Sequence, residues 1–402
     1  MGLGQPAIPR GAIFALALGG FGIATTEFVP MGLLPSIAHN FRVTEPQAGY
    51  VVSAYALGVV VGSPIIAAVS AGISRRVLLI ALMVAFTAGN AATVCAPGPE
   101  ALMLSRFVAG LPHGAYFGVA ALVAAHLAGP GNRGRAVGQA MLGLAAGNVV
   151  GVPSATWLGN AMGWRAAFAV VVVSGALTVA ALLLFLPDLT DISVTSFVTE
   201  LTALRRAQVW FALLIGVVGF GGTFAFYTYI STTLTSVSGL PIHLVPLALA
   251  IFGLGMVAGN MLGGWMVDRN VILTITTGLA LVAIFLTMFV LLADIYWVAV
   301  VLVFMIGVSS TSLVPALQTR LMDVADEAQT LAAALNHSAL NVANAGGAWL
   351  GGLVIAAGYG YRAPSLVGAG LAMLGLGVLM TSVLYERHQS PRTAATNECP
   401  AR

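Results

Sequence analysis

Long apolar segments separated by short polar breaks run through almost the whole chain. Each segment is at least about as long as the roughly 20 residues that an α-helix needs to cross a bilayer. The breaks carry turn residues and charges, as at 96–100, 128–133 and 358–362. The pattern predicts an all-α polytopic membrane protein with twelve transmembrane helices. The predicted spans, numbered 1 to 12, are residues 11–36, 48–70, 77–95, 99–127, 136–159, 165–187, 208–235, 243–267, 271–292, 295–320, 329–357 and 363–385.

The composition excludes a water-soluble protein. Of the 402 residues, 59% are hydrophobic and only 7% are charged. A soluble domain carries about 25% charged residues, so this chain has too few charges to give a globule of its size a polar surface. Lipid must therefore surround most of the chain, and a soluble enzyme is excluded.

The basic residues are unusual in kind, because all 16 of them are Arg and none is Lys. A phosphate-binding loop of the Walker type and a Schiff-base enzyme each need a Lys. The spans also contain neither an H-E-x-x-H motif nor an aspartate pair. We therefore expect no enzymatic activity, no cofactor and no metal, with the energy for work taken from an ion gradient or a partner. The small net charge of +3 gives no reason to expect a nucleic-acid partner.

The positions of the Arg residues orient the chain. An even number of spans puts both termini on one side, and Arg is enriched in cytoplasmic segments. With the amino terminus inside, twelve Arg fall in cytoplasmic segments and three in outer loops, while Arg106 alone falls within a span. Both termini are therefore predicted to be cytoplasmic. The cytoplasmic set is Arg10, Arg75, Arg76, Arg133, Arg135, Arg205, Arg206, Arg269, Arg320, Arg387, Arg392 and Arg402, and the outer set is Arg42, Arg165 and Arg362.

The two halves of the chain match each other at an offset of 197 residues. At that offset Gly58 coincides with Gly255, and Gly110 coincides with Gly307. A duplicated six-span unit explains matches that are spread over most of each half. The predicted organisation is an amino-terminal six-helix half (1–187), a cytoplasmic linker (188–206), a carboxy-terminal six-helix half (207–385) and a disordered cytoplasmic tail (386–402).

Two such halves joined by a cytoplasmic linker are the plan of major facilitator transporters, in which the substrate binds between the halves. Span 4 adds Arg106, Gly110 and Gly114 at four-residue spacing. This resembles the fourth-span motif of major facilitator drug:proton antiporters, and the resemblance implies that the Arg takes part in proton coupling. An Arg in hydrocarbon must face a partner or water, and the Gly pair allows close helix approach. The alternative is an Arg that reaches the membrane surface at the outer end of the span.

Span 5 carries a second motif, formed by Gly147, Gly151 and Pro153 with Asn148 alongside. It resembles the fifth-span antiporter motif of the same family, although the family's Gly-Pro ending reads Gly-Val-Pro here. A small, flat face for helix packing is favoured over substrate contact for the Gly positions.

The family's loop motif between spans 2 and 3 is split between the two halves. Arg75 and Arg76 stand where its terminal basic pair belongs, but Ala71 occupies the Asp position. In the second copy, Asp268 and Arg269 match the front of the motif and the remainder is replaced. These two Arg and the Asp-Arg pair are the candidate gating residues.

Span 1 carries the most specific resemblance, in the run T-T-E-F-V-P-M-G-L-L-P-S-I-A at 25–38. The run is similar to bacterial twelve-span efflux proteins of the chloramphenicol-resistance and arabinose-efflux type. The resemblance implies a monomer in the bacterial inner membrane that exports small amphipathic, drug-like compounds in exchange for protons. Two alternatives stay open: a proton-coupled exporter of a sugar, purine or amino acid, and a receptor that uses the same scaffold.

Glu27 is the only acid that falls well inside a predicted span. Desolvation disfavours a charged carboxyl, whereas a nearby Arg favours it. Our hypothesis is that Glu27 is the proton site and that Arg106 modulates its affinity for the proton. His113, seven residues after Arg106 on the same helix face, is a candidate proton relay. The alternatives are a neutral Glu27 bonded to Thr25 or a neighbouring span, and a His113 that only packs.

One face of span 11 is polar, because His337, Asn341 and Asn344 recur at helical spacing. Polar groups in lipid must be satisfied by protein or water, so this face is predicted to point into the bundle. It either lines a substrate cavity or joins helices. Among the aromatic residues of span 7, we favour Phe226 and Tyr229 over their neighbours as walls of the cavity. The substrate-binding candidates are Tyr55, Tyr116, Phe117, Asn148, Phe226, Tyr229, Asn336, His337, Asn341 and Asn344.

Overall fold

A computed structural model describes residues 9–70, 72–129, 132–189, 205–325 and 329–396. Within these ranges, twelve helical segments are long and apolar enough to cross a membrane, and no strand is present. The predicted all-α fold with twelve spans is confirmed. The structure does not describe most of the predicted linker, since residues 190–204 lie outside these ranges.

The helices follow the predicted spans closely. Spans 1 to 6 are Arg10–Phe41, Glu45–Val69, Arg75–Val94, Pro99–Gly110 with His113–Ala128, Arg133–Ala146 with Val152–Met162, and Trp164–Phe185. Spans 7 to 12 are Ala207–Thr228 with Ile230–Ser236, Val245–Val267, Val271–Leu292, Tyr296–Ala325, Gln329–Ala356 and Ala363–Thr396.

Three of the spans are interrupted, and proline accounts for two of the interruptions. Proline has no backbone N–H and cannot complete the helical ladder. Span 4 breaks at Pro112, and span 5 contains a π-helical turn, Gly147–Gly151, just before Pro153. Span 7 breaks at Tyr229, whose hydroxyl donates a hydrogen bond to the Ala348 carbonyl of span 11 at 3.0 Å.

The repeat of 197 residues is visible in the way the helices pack. A Cβ at Gly58 would meet the carbonyl of Phe107, and a Cβ at Gly255 would meet the carbonyl of Phe304, one repeat further on. Gly62 and Gly259 likewise face backbone carbonyls at equivalent positions, Leu111 and Val308. Only a residue without a side chain allows two helix backbones to come this close. Spans 2 and 4 therefore pack in the same register as spans 8 and 10.

The carboxy-terminal end of the chain differs from the prediction. The helix of span 12 continues to Thr396, so residues 386–396 are helical and not disordered. An ion pair accounts for the continuation at its start, since Arg320 Nη2 lies 2.7 Å from Glu386 Oε2. The last residues, 397–402, lie outside the described ranges.

The even number of spans places both ends of the described chain at one face, the terminal face, and we call the opposite one the distal face. The two halves contact each other mainly through spans 1, 2 and 5 on one side and spans 7, 8 and 11 on the other, and span 4 also contacts span 11. Ser53 Oγ, on span 2, donates to the Ala345 carbonyl of span 11 at 3.0 Å, well inside both spans. Nearer the distal face, the carboxylate of Glu45 accepts hydrogen bonds from Thr232 and Tyr361 of the other half. We call Glu45, Thr232 and Tyr361 the distal clasp.

The Tyr361 hydroxyl of the distal clasp remains a hydrogen-bond donor at neutral pH. Burial, followed by the neighbouring Glu45 carboxylate, raises the pKa of the Tyr361 hydroxyl above its ordinary value. Tyr361 therefore stays protonated and continues to donate to Glu45. Between described residues, the hydrogen bonds that join the two halves are the Ser53–Ala345 bond, those of the distal clasp and one at the central cavity.

Candidate functional site

A cavity of about 140 Å³ lies between the two halves, near the middle of the spans. Its walls are mostly apolar and aromatic, with a few polar groups, which is typical of a site for a small organic molecule. The first half contributes Glu27, Phe28, His113, Phe117, Leu144 and Asn148. The second half contributes Phe220, Thr223, Phe224, Tyr227, Phe252, Met256, Ser310, Thr311, Val314, His337, Leu340 and Asn341.

Glu27 lies in the cavity wall and is 9% exposed. Its Oε1 accepts a hydrogen bond from Nδ2 of Asn344, on span 11, at 3.3 Å. This bond joins the two halves of the protein at the level of the cavity. Of the two bonds in the alternative prediction, the one to Thr25 is absent among the described contacts, because the Thr25 hydroxyl donates to the Phe21 carbonyl of its own helix. The bond to a neighbouring span is present, since Asn344 belongs to span 11.

Arg106 is fully buried, which contradicts the alternative that it reaches the membrane surface. Its Nη1 donates to Thr26 Oγ1 and its Nη2 donates to the Thr26 carbonyl, each at 2.8 Å. The carbonyl is free to accept because residue 30, the helical partner of residue 26, is a proline without an N–H. Arg106 thus fixes a positive charge beside Glu27 without a direct bond to it among the described contacts.

Tyr55 connects Arg106 to His113. The Arg106 guanidinium lies 4.3 Å from the centroid of the Tyr55 ring, a cation–π contact. The Tyr55 hydroxyl lies 3.0 Å from Nδ1 of His113, and His113 reaches the cavity. Arg106 and His113 therefore share a face as predicted, although Pro112 breaks the helix between them. Tyr55 itself is completely buried and does not line the cavity.

The polar face of span 11 points into the bundle as predicted. The side chain of His337 is exposed to the cavity, and its ring lies parallel to Phe117 with centroids 6.4 Å apart. Asn341 also lines the cavity, and its Nδ2 donates to the His337 carbonyl at 3.0 Å. The prediction that Asn336 binds substrate is wrong. Its Nδ2 donates to Gln318 Oε1 at 2.7 Å, so it joins spans 11 and 10 away from the cavity.

The choice of Phe226 and Tyr229 as the aromatic wall of the cavity is also wrong. Phe226 packs against Phe289 with ring centroids 4.8 Å apart, and Tyr229 bonds to span 11, so neither lines the cavity. Phe224 and Tyr227 do, because residues three apart share a helix face and residues two apart do not. Tyr116 also lies outside the cavity wall, and its hydroxyl donates to the Leu16 carbonyl at 2.8 Å.

Several cavity residues are not among the sequence-predicted candidates, and the repeat carries a signal for some of them. One offset of 197 residues from Tyr55 leads to Phe252, and the same offset from His113 leads to Ser310. Both of these second-half residues line the cavity. Phe28 and Phe220 have no such signal in their sequence surroundings.

The motif glycines serve helix packing. A Cβ at Gly110 would meet the Tyr55 carbonyl and one at Gly114 would meet the Ser63 hydroxyl, so spans 2 and 4 lie in close contact. A Cβ at Gly147 would meet groups of span 1, including the Phe21 carbonyl at 2.8 Å. Gly151 also faces span 1.

The candidate gating residues do not form a common cluster. Arg76 pairs with Asp188 at 2.6 Å and so joins the start of span 3 to the segment after span 6. Arg75 donates to the Ser70 carbonyl at 3.2 Å. In the second copy, Arg269 lies over the Trp265 ring at 3.5 Å, and Asp268 is exposed.

Comparison with known proteins agrees with this architecture. The sequence profile of the Major Facilitator Superfamily matches residues 16–339 and, in a second match, 243–400. The chain is 40% identical over 381 residues to the inner membrane transport protein YdhP of Escherichia coli K12, covering 95% of this chain and 97% of that protein. It is 31% identical over 358 residues to the chloramphenicol resistance protein of Streptomyces lividans, with coverage of 88% and 90%.

Solved structures show the same fold. The crystal structure of a D-xylose-proton symporter matches with a TM-score of 0.74 at 17% identity, covering 93% of this chain and 97% of that one. The profile match and the relatives together extend over nearly the whole chain. They confirm the superfamily to which the motifs of spans 1 and 4 point. The chain is a multi-pass membrane transporter of the Major Facilitator Superfamily.

Proposed function

We propose that the protein exports a small amphipathic compound from the bacterial cytoplasm in exchange for protons, by alternating access of the central cavity. The proposal rests mainly on Glu27. It is the acid that lines the cavity, and its hydrogen bond to Asn344 joins the two halves that must move relative to each other. The terminal face is cytoplasmic in this proposal, because twelve Arg fall on that side and three on the other.

The bond between Glu27 and Asn344 can exist in either protonation state. With Glu27 charged, its carboxylate can accept from Asn344 Nδ2, which lies 3.3 Å from Oε1. With Glu27 protonated, its hydroxyl can donate to Asn344 Oδ1, which has no hydrogen-bond donor among the described residues. An amide offers both a donor and an acceptor, so Asn suits a partner that gains and loses a proton.

A proton gradient supplies enough free energy for this exchange. A difference of about 2 pH units is worth roughly 2.7 kcal/mol per proton, which supports about 100-fold accumulation at one proton per substrate. No other energy source is required by the proposal, and its cofactor requirement is none.

Transport by the purified protein in proteoliposomes tests the proposal. An acidic interior should drive accumulation of chloramphenicol by the wild-type protein. Glu27→Gln should abolish the gradient-driven part but retain counterflow of labelled against unlabelled compound. Glu100→Gln, which alters an exposed acid at the start of span 4, should behave as wild type. Gradient-driven accumulation that survives Glu27→Gln unchanged contradicts the proposal.

The asparagines and histidines of the cavity wall favour one second candidate, an exporter of a polar metabolite such as a sugar, purine or amino acid. Asn148, His337 and Asn341 could bond to the hydroxyl or amide groups of such a compound. The same proteoliposomes decide between the candidates through competition by a panel of drugs and metabolites. The absence of counterflow with every compound in the panel supports a receptor instead.

A further inference from the structure

Two residues of the cavity wall each have a buried polar atom that lacks a hydrogen-bond partner among the described residues. The atoms are Oδ1 of Asn341 and Oγ1 of Thr223. Both side chains line the cavity, one from span 11 and one from span 7, and they are 5% and 3% exposed. A buried polar group without a partner costs about 1–3 kcal/mol, so such atoms are seldom left unsatisfied in a folded protein.

The orientation of the Asn341 amide is set by its surroundings. Its Nδ2 donates to the His337 carbonyl, which can only accept. Rotation of the amide would place oxygen against oxygen, so the group that faces away from the carbonyl is the oxygen. Asn341, a residue of the cavity wall, therefore keeps an unpaired acceptor, and the ideal counterpart of that acceptor is a donor.

The remaining wall of the cavity favours flat, aromatic surfaces. The rings of Phe28 and Phe224 are parallel, with centroids 6.4 Å apart and an interplanar angle of 2°. Tyr227 stacks on Phe252 at 4.0 Å. Both pairs line the cavity, and aromatic rings prefer to contact other rings in stacked or edge-to-face arrangements.

We infer that the transported compound is a planar aromatic molecule that bears hydrogen-bond donors, with amine or hydroxyl groups directed at Asn341 Oδ1 and Thr223 Oγ1. The inference rests on the proposed function, because it assigns a substrate class to the same cavity. Asn341 then determines the donor preference, Thr223 supplies a second hydrogen bond, and the aromatic pairs hold the ring. Neither Thr223 nor His337 decides the donor preference by itself, since a hydroxyl and an imidazole can each donate or accept.

Two dyes separate the donor requirement from the ring. Proflavine and acridine orange share one acridine ring, but the two amino groups of proflavine are fully methylated in acridine orange. Binding of each dye to the purified full-length chain is measured by fluorescence polarisation without a gradient. Proflavine should bind more tightly than acridine orange, by about two- to tenfold for each hydrogen bond that forms. The greater apolar surface of acridine orange acts in the opposite direction.

Variants show whether these two residues cause the preference. Asn341→Leu and Thr223→Val should each weaken proflavine by about two- to tenfold and leave acridine orange nearly unchanged. Thr223→Ser, which keeps the hydroxyl, should retain the preference. Asn260→Leu, on an exposed position of span 8, and Thr287→Val, whose hydroxyl bonds within span 9, control for the substitutions themselves. Thermal unfolding checks that each variant is folded.

Equal binding of the two dyes, or binding of neither, overturns the inference. So does a preference for proflavine that persists in both Asn341→Leu and Thr223→Val, because shape alone would then explain it. The assay contains no proton gradient. A failure of gradient-driven transport therefore counts against the proposed function alone, whereas a failure of donor discrimination counts against the substrate class alone.

Discussion

The two halves of the protein share their backbone packing but differ in the chemistry that they bring to the cavity. Gly58 and Gly255 make equivalent contacts one repeat apart. At the cavity, however, Glu27 of the first half corresponds to Phe224 of the second at the offset of 197 residues. The fold therefore depends on small residues that both halves retain, and the cavity chemistry varies independently of it.

The two charged residues that are buried at the level of the cavity, Glu27 and Arg106, both belong to the first half. Arg106 corresponds to Val303 in the second half, and both side chains are completely buried. An Arg within a span is costly and persists where it has a specific task, whereas Val at the same depth costs nothing. In our account the first half handles the proton and the second half contacts most of the substrate.

The largest expected effect comes from copying the first-half charge into the second half. Val303→Arg should destabilise the protein by about 3 kcal/mol, because the Arg would be buried without the prepared acceptors that Arg106 has at Thr26. The carbonyl of Thr223, the repeat equivalent, has a helical partner at residue 227, which is not a proline. Thermal unfolding in detergent measures the change. Val303→Met controls for size, and an Arg variant as stable as the Met variant would show that the halves tolerate charge alike.

Arg106→Lys is expected to reduce gradient-driven transport by about tenfold. A Lys keeps the charge, but its ammonium cannot bond to both Thr26 atoms in the fixed geometry of a guanidinium. Proteoliposome accumulation measures the loss. Arg133→Lys, at an exposed position, is the matched control and should transport normally. Full activity of Arg106→Lys would mean that only the charge matters.

Phe224→Leu and Phe226→Leu distinguish the cavity wall from the packing core of span 7. Phe224→Leu should weaken proflavine binding by about two- to tenfold, because a ring contact is worth roughly 0.5–1.5 kcal/mol. Phe226→Leu should lower the unfolding temperature but leave affinity unchanged, since its ring contacts Phe289 and not the cavity. Fluorescence polarisation and thermal unfolding give the two readouts. Weaker proflavine binding by Phe226→Leu, with unchanged binding by Phe224→Leu, would support the sequence-based prediction that Phe226 lines the cavity.

The smallest effect is expected at the distal clasp. Tyr361→Phe removes one donor to Glu45 and should speed maleimide labelling of a cysteine at position 53 from the distal face by about two- to fivefold. The native Cys95 and Cys399 are replaced by Ser for this experiment. Tyr359→Phe, at an exposed position in the same loop, should leave the labelling rate unchanged. Unchanged labelling in Tyr361→Phe would show that the clasp does not hold the halves together.

The sequence predicted the spans well, because a bilayer requires long apolar helices and so leaves a strong hydropathy signal. It also placed Glu27 and Arg106 inside the membrane, where charge is rare enough to be conspicuous. The bond from Arg106 to the Thr26 carbonyl was not predicted, although the proline four residues after Thr26 indicates a carbonyl without a helical partner.

The cavity wall was predicted less well, for reasons that depend on tertiary contacts. Span 7 is apolar on all of its faces, so its sequence does not show which of its aromatic residues face the cavity. The break at Tyr229 and its bond to Ala348 depend on span 11 and have no local sign. Asn336 sits one residue before His337, and only the position of Gln318 shows that it points elsewhere. The helical end of span 12 is likewise anchored by a distant residue, Arg320.

Proton release on binding tests the division of labour between the halves most directly. Proflavine is added to the purified chain in weakly buffered detergent over a pH series, and the released protons are counted with an indicator. The account predicts release by the wild-type protein, release with weaker binding by Phe224→Leu, and binding without release by Glu27→Gln. Undiminished proton release by Glu27→Gln would contradict it.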